Sequence, residues 1–501
     1  MHSHVEIELK FTVADDFAFG AVTLPDAVRL EDGRDLTLEA EYFDTADRRL
    51  FARGITLRRR RGGDDEGWHL KLPRSAGERE ELAEPLGEED APPVALQRLV
   101  AVHVRREPFV PIARIATRRT VRRVVGDGGV VLAELADDDV TAEAFTGGEV
   151  ELSTWRELEL ELVDGDRQLL ETLSKRLQAA GAHRSSDASK LGRALGDHSR
   201  GADRDSAGVD GSAGEVVRAY LEQQINKLKA ADPGVRLDAE DQLHQLRVAC
   251  RRLRTALKTF RPLFDREQTD PIRDELRWIA TSLGDARDTE VLHGRLVDEL
   301  EDDGSGGDPA HSRIDADLGK QYRTARKQVL RHLDSARYFR LLDRLDALVE
   351  NPPFTADASA AASKRIPRLV RKAFRAVRRE HDAAARASSD EERVIALHEV
   401  RKAAKRARYA GEAAAPSFGK DATRFAAAFE ELQDLLGEHR DSFVARQALG
   451  EMAPRAHAAG EDTFTIGVLA GREEERAAAV LRRYDAAWDA ASARKLRRWL
   501  T

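Results

Sequence analysis

Hydrophobic and polar residues alternate near the start of the chain. In residues 4–11, HVEIELKF, apolar side chains take the odd positions, while Glu6, Glu8 and Lys10 take the even positions. Period-two alternation predicts a β-strand with one buried face. The two carboxylates stand about 6–7 Å apart along the polar face. This face therefore either meets water or faces something that requires negative charge.

The same alternation recurs over the first two-fifths of the chain and then stops. Strand patterns occupy residues 55–61, 67–73, 121–125, 129–135 and 155–163. A segment with helical period closes this region, and the remainder is rich in Ala, Arg and Leu at helical spacing. The pattern predicts an α+β N-terminal domain followed by an all-α C-terminal domain.

A change of composition marks the boundary between these domains. Residues 197–214 are rich in Gly, Ser and Asp and carry almost no apolar side chains. Such a composition is typical of a flexible linker. We place an N-terminal domain at 1–197, a linker at 198–212 and a helical domain at 213–501.

The helical half contains an internal repeat. Residues 243–264 resemble residues 397–418 at an offset of 154, and the LGDARD segment at 283–288 resembles LGEHRD at 436–441 at an offset of 153. Two matching blocks at nearly the same separation predict two tandem helical bundles. The bundles are expected at about residues 213–350 and 360–501.

Composition narrows the class of protein. The single cysteine, Cys250, excludes a disulfide framework or a cysteine-rich metal site. The net charge of −8 argues against a general nucleic-acid coat. The chain shows neither a run of 18 apolar residues nor the order of a signal peptide. We expect a cytoplasmic protein with no membrane partner and no specific nucleic-acid partner.

Charged residues collect on single faces of the predicted strands. Glu157, Glu159 and Glu161 form one column, and Arg58 and Arg60 share a face of another strand. Solvated strand faces usually mix polar types, so this segregation favours faces that converge inside a closed barrel. Charges buried together must pair or bind ions. Carboxylates favour Mg²⁺ or Mn²⁺, and arginine favours phosphate. A divalent cation and a phosphate chain bound in one tunnel predict metal-assisted phosphoanhydride hydrolysis.

An ordered set of motifs resembles the CYTH superfamily, the triphosphate tunnel metalloenzymes. The motifs are EIELK (6–10), YFDT (42–45), LRRR (57–60), WHLKLP (68–73), RELELEL (156–162) and SKLGRAL (189–195). The resemblance covers about residues 1–197. It implies an eight-stranded antiparallel β-barrel tunnel with flanking helices. It also implies hydrolysis of inorganic triphosphate, or another triphosphate, with Mg²⁺ or Mn²⁺.

The resemblance also implies roles for individual residues. Catalytic roles fall on Glu6, Glu8 and Lys10. Metal-binding roles fall on Glu6, Glu8, Glu157, Glu159 and Glu161. Substrate-binding roles fall on Arg58, Arg60, Lys71, Arg119 and Lys190.

Three positions in the tunnel stay open. Arg118 and Arg123 are alternatives to Arg119, because the strand register is undetermined there. We expect Glu134 to face the tunnel, with Asp137 or Asp138 nearby. A further acidic position falls somewhere in the GEREELAE segment, which offers several carboxylates.

Cationic residues follow one face of two predicted helices. The spacings of 3 and 4 residues place on one face His244, Arg247, Arg251, Arg254 and Lys258. The repeat copy places on the equivalent face His398, Arg401, Lys405 and Arg408. A stripe of cations repels itself unless an anion lies along it. Because stacking aromatics are scarce, with six Tyr and five Trp, polyphosphate is favoured over nucleic acid.

The pattern H-x2-R-x3-[RK]-R-x-R, which occurs twice, resembles the CHAD domain, a helical domain with a conserved histidine. The resemblance covers about residues 213–501 and implies that the nine residues of the two cationic helix faces bind inorganic polyphosphate. It also implies that the protein associates with polyphosphate granules. The Arg287–Asp288 and Arg440–Asp441 pairs belong to the same pattern, and their aspartates are expected to orient neighbouring side chains. The alternatives are a non-catalytic polyphosphate-binding protein, a thiamine triphosphatase and an adenylate cyclase.

Overall fold

The computed structural model divides the chain into two compact units, residues 1–203 and 204–501. The described residues are 2–25, 28–74, 78–88, 90–185, 189–196, 211–302 and 309–500. Most of the predicted linker at 198–212 lies outside them.

The first unit is a closed β-barrel with short helices. Its strands are β1 (His2–Thr12), β2 (Arg29–Leu30), β3 (Arg34–Asp44), β4 (Thr56–Arg61), β5 (Gly67–Pro73), β6 (Glu78–Glu84), β7 (Val110–Val125), β8 (Val131–Thr146), β9 (Glu149–Leu162) and β10 (His183–Arg184). Its helices are α1 (Val94–Val104), α2 (Arg167–Ala179) and α3 (Lys190–Ala194). The sheet runs β1-β6-β5-β4-β3-β7-β8-β9, and β9 pairs again with β1. These antiparallel pairings confirm the predicted eight-stranded barrel.

Alternation on β1 and β9 decides which side chains enter the barrel. Phe11 of β1 and Leu158 of β9 are fully buried on the outer face, where they pack against Leu170 and Leu173 of α2. The α2 helix begins at Asp166, whose carboxylate accepts a hydrogen bond from the Leu169 amide at 2.7 Å. Because successive residues of a strand face opposite sides, the charged residues between these apolar positions face inward.

An apolar cluster fills one end of the barrel. Ile115 of β7 and Val140 of β8 lie an even number of residues from Arg119 and Asp138, so they share the same inward faces. They pack against the buried Leu191 of α3. The α3 helix therefore packs inside this end of the barrel against β3, β7 and β8, and the cavity extends toward the opposite end.

The second unit is helical throughout its described regular structure. Its helices are α4 (Ala213–Leu237), α5 (Gln242–Thr259), α6 (Arg266–Asp302), α7 (Pro309–Leu333), α8 (Ala336–Glu350), α9 (Ala362–Ala384), α10 (Asp390–Ala458) and α11 (Phe464–Ala491). The α10 helix is interrupted at Gly419, where φ is 61° and ψ is −142°. The all-α prediction for the C-terminal domain is confirmed. Among the described helices, none has both the length and the apolar composition that crossing a membrane requires.

Two glycines of α10 give opposite expectations for the same substitution. A Cβ on Gly411 would lie 2.9 Å from the ring of the fully buried Phe425, whereas a Cβ on Gly450 would meet nothing within 4 Å. Gly411→Ala should therefore lower the free energy of unfolding by about 1–3 kcal/mol through overpacking. Gly450→Ala should raise it by about 0.5–1 kcal/mol, because alanine favours helix. Urea unfolding followed by helical circular dichroism measures both, and the same sign for both would contradict this packing.

Candidate functional site

The barrel encloses a cavity of about 460 Å³ lined by side chains from all eight barrel strands and α3. It brings together most of the residues assigned to the tunnel: Glu6, Glu8, Lys10, Arg58, Arg60, Lys71, Arg119, Glu159, Glu161 and Lys190. Glu157 lies beside the cavity, where its carboxylate contacts Lys190 Nζ at 2.8 Å. Strand alternation thus collects residues from distant parts of the sequence around one space.

Cross-strand pairing places three carboxylates in one row. Glu8 lies directly opposite Glu161, and Glu161 lies directly opposite Glu134 on its other side. Like charges in directly opposed positions destabilise a sheet. Burial and the nearby charge of Glu6 raise the pKa of Glu161 to about 8. Among the described residues no cation forms an ion pair with Glu161, so a bound cation would relieve this repulsion.

A second acidic group lies deeper in the barrel. Oxygen atoms of Asp138, Glu157 and Glu159 all lie within 4.8 Å of one another. Lys190 Nζ contacts all three carboxylates, at 2.8, 2.8 and 2.6 Å. Arg119 donates two hydrogen bonds to Asp138, at 2.8 and 2.7 Å, and contacts Glu159 as well. The oxygen donors suit a hard divalent cation, and in this state cationic side chains balance their charge.

Charge controls protonation in this second group. Burial acts to raise the pKa of Glu159, but the charges of Lys10 and Lys190 outweigh it and hold the pKa well below its usual range. Burial acts to lower the pKa of Lys190, but the negative charge of Glu159 outweighs it, so this pKa lies above its ordinary value. These side chains therefore stay ionised and paired at neutral pH.

The opposite wall of the cavity is mainly cationic. Lys71 Nζ donates to both oxygens of Glu6, at 2.7 and 2.6 Å. Arg58 lies 3.6 Å from Glu81, and the Nε atoms of Arg58 and Arg60 are buried with no hydrogen-bond partner among the described residues. Burial and the neighbouring charge of Arg58 lower the pKa of Arg60 to about 9. This wall has donors available for an anion.

The structure resolves the positions that the sequence left open. Arg119 faces the cavity, Arg118 is exposed, and Arg123 lies at the rim, where it donates to Glu134 at 3.2 Å. Asp138 faces inward, whereas Asp137 forms an ion pair with Arg156 at 2.9 Å. Of the carboxylates in the GEREELAE segment, Glu81 lines the cavity, and it is 5% exposed.

Several polar residues of the cavity were given no role from the sequence, among them His69 and Tyr42. His69 of β5 lies between two acceptors, the Glu81 carboxylate, 2.7 Å from Nδ1, and the Asp65 carbonyl, 2.8 Å from Nε2. Tyr42 of β3 lines the cavity beside Arg58. The alternation of His69 with Lys71 was a usable signal, because both side chains share one strand face. Tyr42 gave no such signal.

The two cationic stripes of the helical unit face each other. Arg247 and Arg251 of α5 lie close enough to Lys405 of α10 to act on its charge. Burial, and then Arg251 and Arg401, lower the pKa of Lys405 to about 6. Neither Arg401 nor Lys405 has an ion-paired or hydrogen-bonded partner among the described residues, and Arg401 Nε is buried. Half-buried cations without a partner are costly, so this cluster favours an anionic ligand.

The two repeats hold equivalent arginines in equivalent ways. A Cβ on Gly284 of α6 would lie 3.5 Å from the guanidinium of Arg247, and a Cβ on Gly437 would lie 3.2 Å from that of Arg401. The repeat offsets relate these pairs to each other. In the first repeat Asp288 accepts from Arg247 at 2.6 Å, consistent with an orienting aspartate.

Other members of the stripes have different surroundings. Burial, and then Arg277 and Arg251, lower the pKa of Arg254. Burial, and then Arg406, also lower the pKa of Lys258. Burial and the charge of Arg287 lower the pKa of His244.

The other two stripe residues of the second repeat, Arg408 and His398, lie apart from the central cluster. Arg408 forms ion pairs with Glu412 at 2.8 Å and Glu430 at 2.6 Å. His398 lines a separate cavity of about 240 Å³ together with the buried His439. The four cations Arg247, Arg251, Arg401 and Lys405 therefore form the central cluster.

The fold and the two sites define a class of protein in which a barrel with a charged cavity precedes a helical unit with a cationic cleft. The CYTH domain matches residues 4–195, and the CHAD domain matches residues 219–450. The chain belongs to the family of proteins that carry a CYTH domain followed by a CHAD domain. CYTH domains are metal-dependent and act on triphosphates, and the two domains together indicate binding of triphosphate or polyphosphate.

Similar proteins include two uncharacterized proteins of Mycobacterium tuberculosis, from strains H37Rv and CDC 1551 / Oshkosh. Each is 40% identical over 521 residues, which span 97% of both chains. Among solved structures, the CHAD domain from the plant Ricinus communis is 26% identical and covers 58% of this chain and 96% of its own, with a TM-score of 0.47. A putative adenylyl cyclase from Hippeastrum, described as having a dominant triphosphatase activity, is 19% identical. It covers 37% of this chain and 93% of its own, with a TM-score of 0.23.

The raised pKa of Glu161 makes cation binding depend on pH. A cation that binds the carboxylate displaces its proton below about pH 8, so affinity should rise with pH up to that value. Calorimetric titration with Mn²⁺ should show a gain of roughly ten-fold or more between pH 6.5 and 8.5. Glu161→Gln should weaken binding and remove this gain, whereas Glu143→Gln, on the outer face of β8, should preserve it. A pH-independent affinity in the unsubstituted protein would contradict the assignment.

Proposed function

We propose that the barrel hydrolyses inorganic triphosphate with Mg²⁺ or Mn²⁺ and that the helical unit binds inorganic polyphosphate. The observation that supports the first part is the meeting of an acidic wall and a cationic wall in one cavity. Three of the inner ion pairs join a proposed metal ligand to a proposed phosphate ligand or to the catalytic lysine. The pairs are Glu6–Lys71, Glu8–Lys10 and Glu157–Lys190.

These ion pairs allow the charges of the cavity to be balanced both with and without a bound cation and phosphate chain. A cation and a phosphate chain that enter together bring charges of opposite sign, so each lysine can exchange its carboxylate for a phosphate oxygen. The cation would lie on Glu6, Glu8 and Glu161, with Glu157 and Glu159 nearby, where it would supply charge neutralisation for the reacting phosphate. Carboxylate oxygens are suitable ligands for it.

The side chains of the cavity perform the remaining tasks. Arg58, Arg60 and Lys71 bind the phosphate chain from one wall, and Arg119 and Lys190 bind it from the other. A water held by a cavity carboxylate attacks a terminal phosphorus. The new P–O bond forms as the anhydride P–O bond breaks, and the water proton passes to the carboxylate.

Two alternatives to this function differ in their substrates. A thiamine triphosphatase or an adenylate cyclase would use the same walls on an organic triphosphate, and a non-catalytic protein would bind without turnover. Orthophosphate release from inorganic triphosphate, ATP, thiamine triphosphate and long polyphosphate, with and without Mg²⁺, separates them. Release that is fastest from inorganic triphosphate and needs Mg²⁺ supports the proposal, and the absence of release from every substrate would refute it.

Removing an inner carboxylate tests the catalytic assignment. Glu6→Gln and Glu8→Gln keep the shape of the side chain but remove the charge that would hold the cation. Each should lower the rate of Mg²⁺-dependent phosphate release from triphosphate by roughly 100-fold or more. Asp139→Asn, an exposed residue on the outward face of β8, is the matched control and should retain the rate. Unchanged turnover in both glutamine variants would sink the assignment.

The second part of the proposal is supported by the unpaired cations of the helical unit. Arg401 and Lys405 lie beside Arg247 and Arg251, and this cluster has more positive charge than nearby carboxylates balance. The aromatic ring within it, Tyr409, is 1% exposed, so it offers no face for a nucleic-acid base. A phosphate chain without bases fits these surroundings. Its binding should weaken steeply as salt rises, because it releases counterions.

Lys405 should take up a proton when polyphosphate binds. Its pKa of about 6 leaves it mostly neutral at pH 7.5, and a polyanion beside it raises that pKa. Affinity should therefore fall by roughly ten-fold or more from pH 6 to pH 8, with close to one proton absorbed per site at pH 8. Calorimetry in buffers of different ionisation enthalpy measures the proton uptake. Lys405→Met should remove it, and Arg344→Gln, an exposed arginine of α8, should leave it unchanged; uptake that survives in Lys405→Met would assign the proton elsewhere.

A further inference from the structure

The turn between β4 and β5, residues 62–66, is built to fold back onto the barrel. Gly62 and Gly63 have φ angles of 80° and 83°, which side-chain-bearing residues rarely adopt. A Cβ on Gly62 would lie 2.3 Å from the Thr37 carbonyl oxygen, so the turn lies tightly against β3. The Gly62 amide donates to the Glu66 carboxylate at 3.0 Å, which closes the turn on itself.

Two aspartates of this turn reach over the cavity. Asp64 accepts two hydrogen bonds from Arg34, at 2.5 and 2.9 Å. Asp65 forms an ion pair with Arg60, and its carbonyl lies 2.8 Å from His69 Nε2. Both aspartates line the cavity. The Asp65 carboxylate is therefore paired with the Arg60 guanidinium, which the proposed function assigns to phosphate binding.

The turn lies at the end of the barrel away from the apolar cluster around α3. Arg34 lies opposite Val121 on β7, six residues from Ile115, which belongs to the apolar cluster at the other end. Glu31 and Asp32 line the cavity at the same end of β3 as Arg34. Because α3 and its apolar contacts occupy the other end along β3, β7 and β8, we expect a phosphate chain too long for the cavity to extend past these carboxylates.

We propose that Asp65, with Asp64, Asp32 and Glu31, forms an acidic gate that restricts the barrel to short phosphate chains. This proposal rests on the proposed triphosphatase function and specifies its substrate class. A chain that ends inside the cavity leaves the carboxylates at the mouth undisturbed. A longer chain brings further phosphates against Glu31 and Asp32 and against aspartates that already engage Arg34 and Arg60, and discrimination by such repulsion disfavours the longer ligand. Long polyphosphate bound by the helical unit is therefore a poor substrate of the barrel.

Asp65→Asn tests the gate, with Glu66→Gln as the matched control. Both changes remove one carboxylate charge from the same turn, but the Glu66 side chain closes the turn rather than lining the cavity. The measurement is kcat/KM for orthophosphate release from inorganic triphosphate and from long polyphosphate by the full chain. Asp65→Asn should raise the ratio of long-chain to triphosphate turnover by about ten-fold or more. Glu66→Gln should leave this ratio within about two-fold of the unsubstituted protein.

The outcomes separate the gate from the proposed function. Equal ratios in the two variants, or an unsubstituted protein that already hydrolyses long chains as fast as triphosphate, would overturn the gate. If no variant releases phosphate, the hydrolase proposal fails, and metal-free calorimetry with long polyphosphate decides the gate. The helical unit is the same in both variants, so tighter or additional binding in Asp65→Asn alone supports the gate. Identical isotherms overturn it.

Discussion

The opposition of Glu8, Glu161 and Glu134 across adjacent strands is the constraint on which the barrel depends. Closing the barrel brings β9 against β1 and so places Glu8 opposite Glu161, while the pairing of β8 with β9 places Glu134 on the other side of Glu161. The sheet tolerates them because lysines and arginines enter from other strands and from α3. In a cavity balanced in this way, the carboxylates are the proposed ligands of a metal, and the cations that neutralise them are the proposed ligands of phosphate.

The packing of α3 inside the barrel determines where one of these cations, Lys190, lies. Lys190 stands at the start of a helix whose Leu191 is buried among Ile115 and Val140. Packing of apolar side chains therefore fixes the position of the ammonium group that contacts Asp138, Glu157 and Glu159. The core of the unit and its charged site are consequently coupled, because looser packing of α3 would also release the lysine from the deeper acidic group.

Period-two alternation predicted the inward residues wherever a strand was long and its charges lay on one face. Glu6, Glu8 and Lys10 on β1 and the three glutamates of β9 are such cases. Prediction stopped where the register was undetermined. The β6 segment carries carboxylates on both faces, so Glu81 could be chosen only once Lys71 was seen opposite it. Arg119 and Asp138 were likewise fixed by their mutual pairing across β7 and β8, which alternation within one strand does not contain.

In the helical unit, periodicity showed which residues share a stripe but not which of them lack a partner. Arg254 and Arg408 occupy equivalent repeat positions, yet Arg408 meets Glu412 where the first repeat has Lys258. One copy of the stripe is thus partly neutralised by its own helix. The uncompensated charge concentrates at Arg401, beside Lys405, whose lowered pKa leaves it mostly neutral at pH 7.5. The two units therefore handle charge differently. The barrel balances its cations with carboxylates and so needs a cation to accompany an entering phosphate, whereas the helical cluster leaves its cations unbalanced and can accept a polyanion directly. The proposed binding of polyphosphate by the helical unit should accordingly proceed without a divalent metal, whereas the proposed hydrolysis in the barrel should require one.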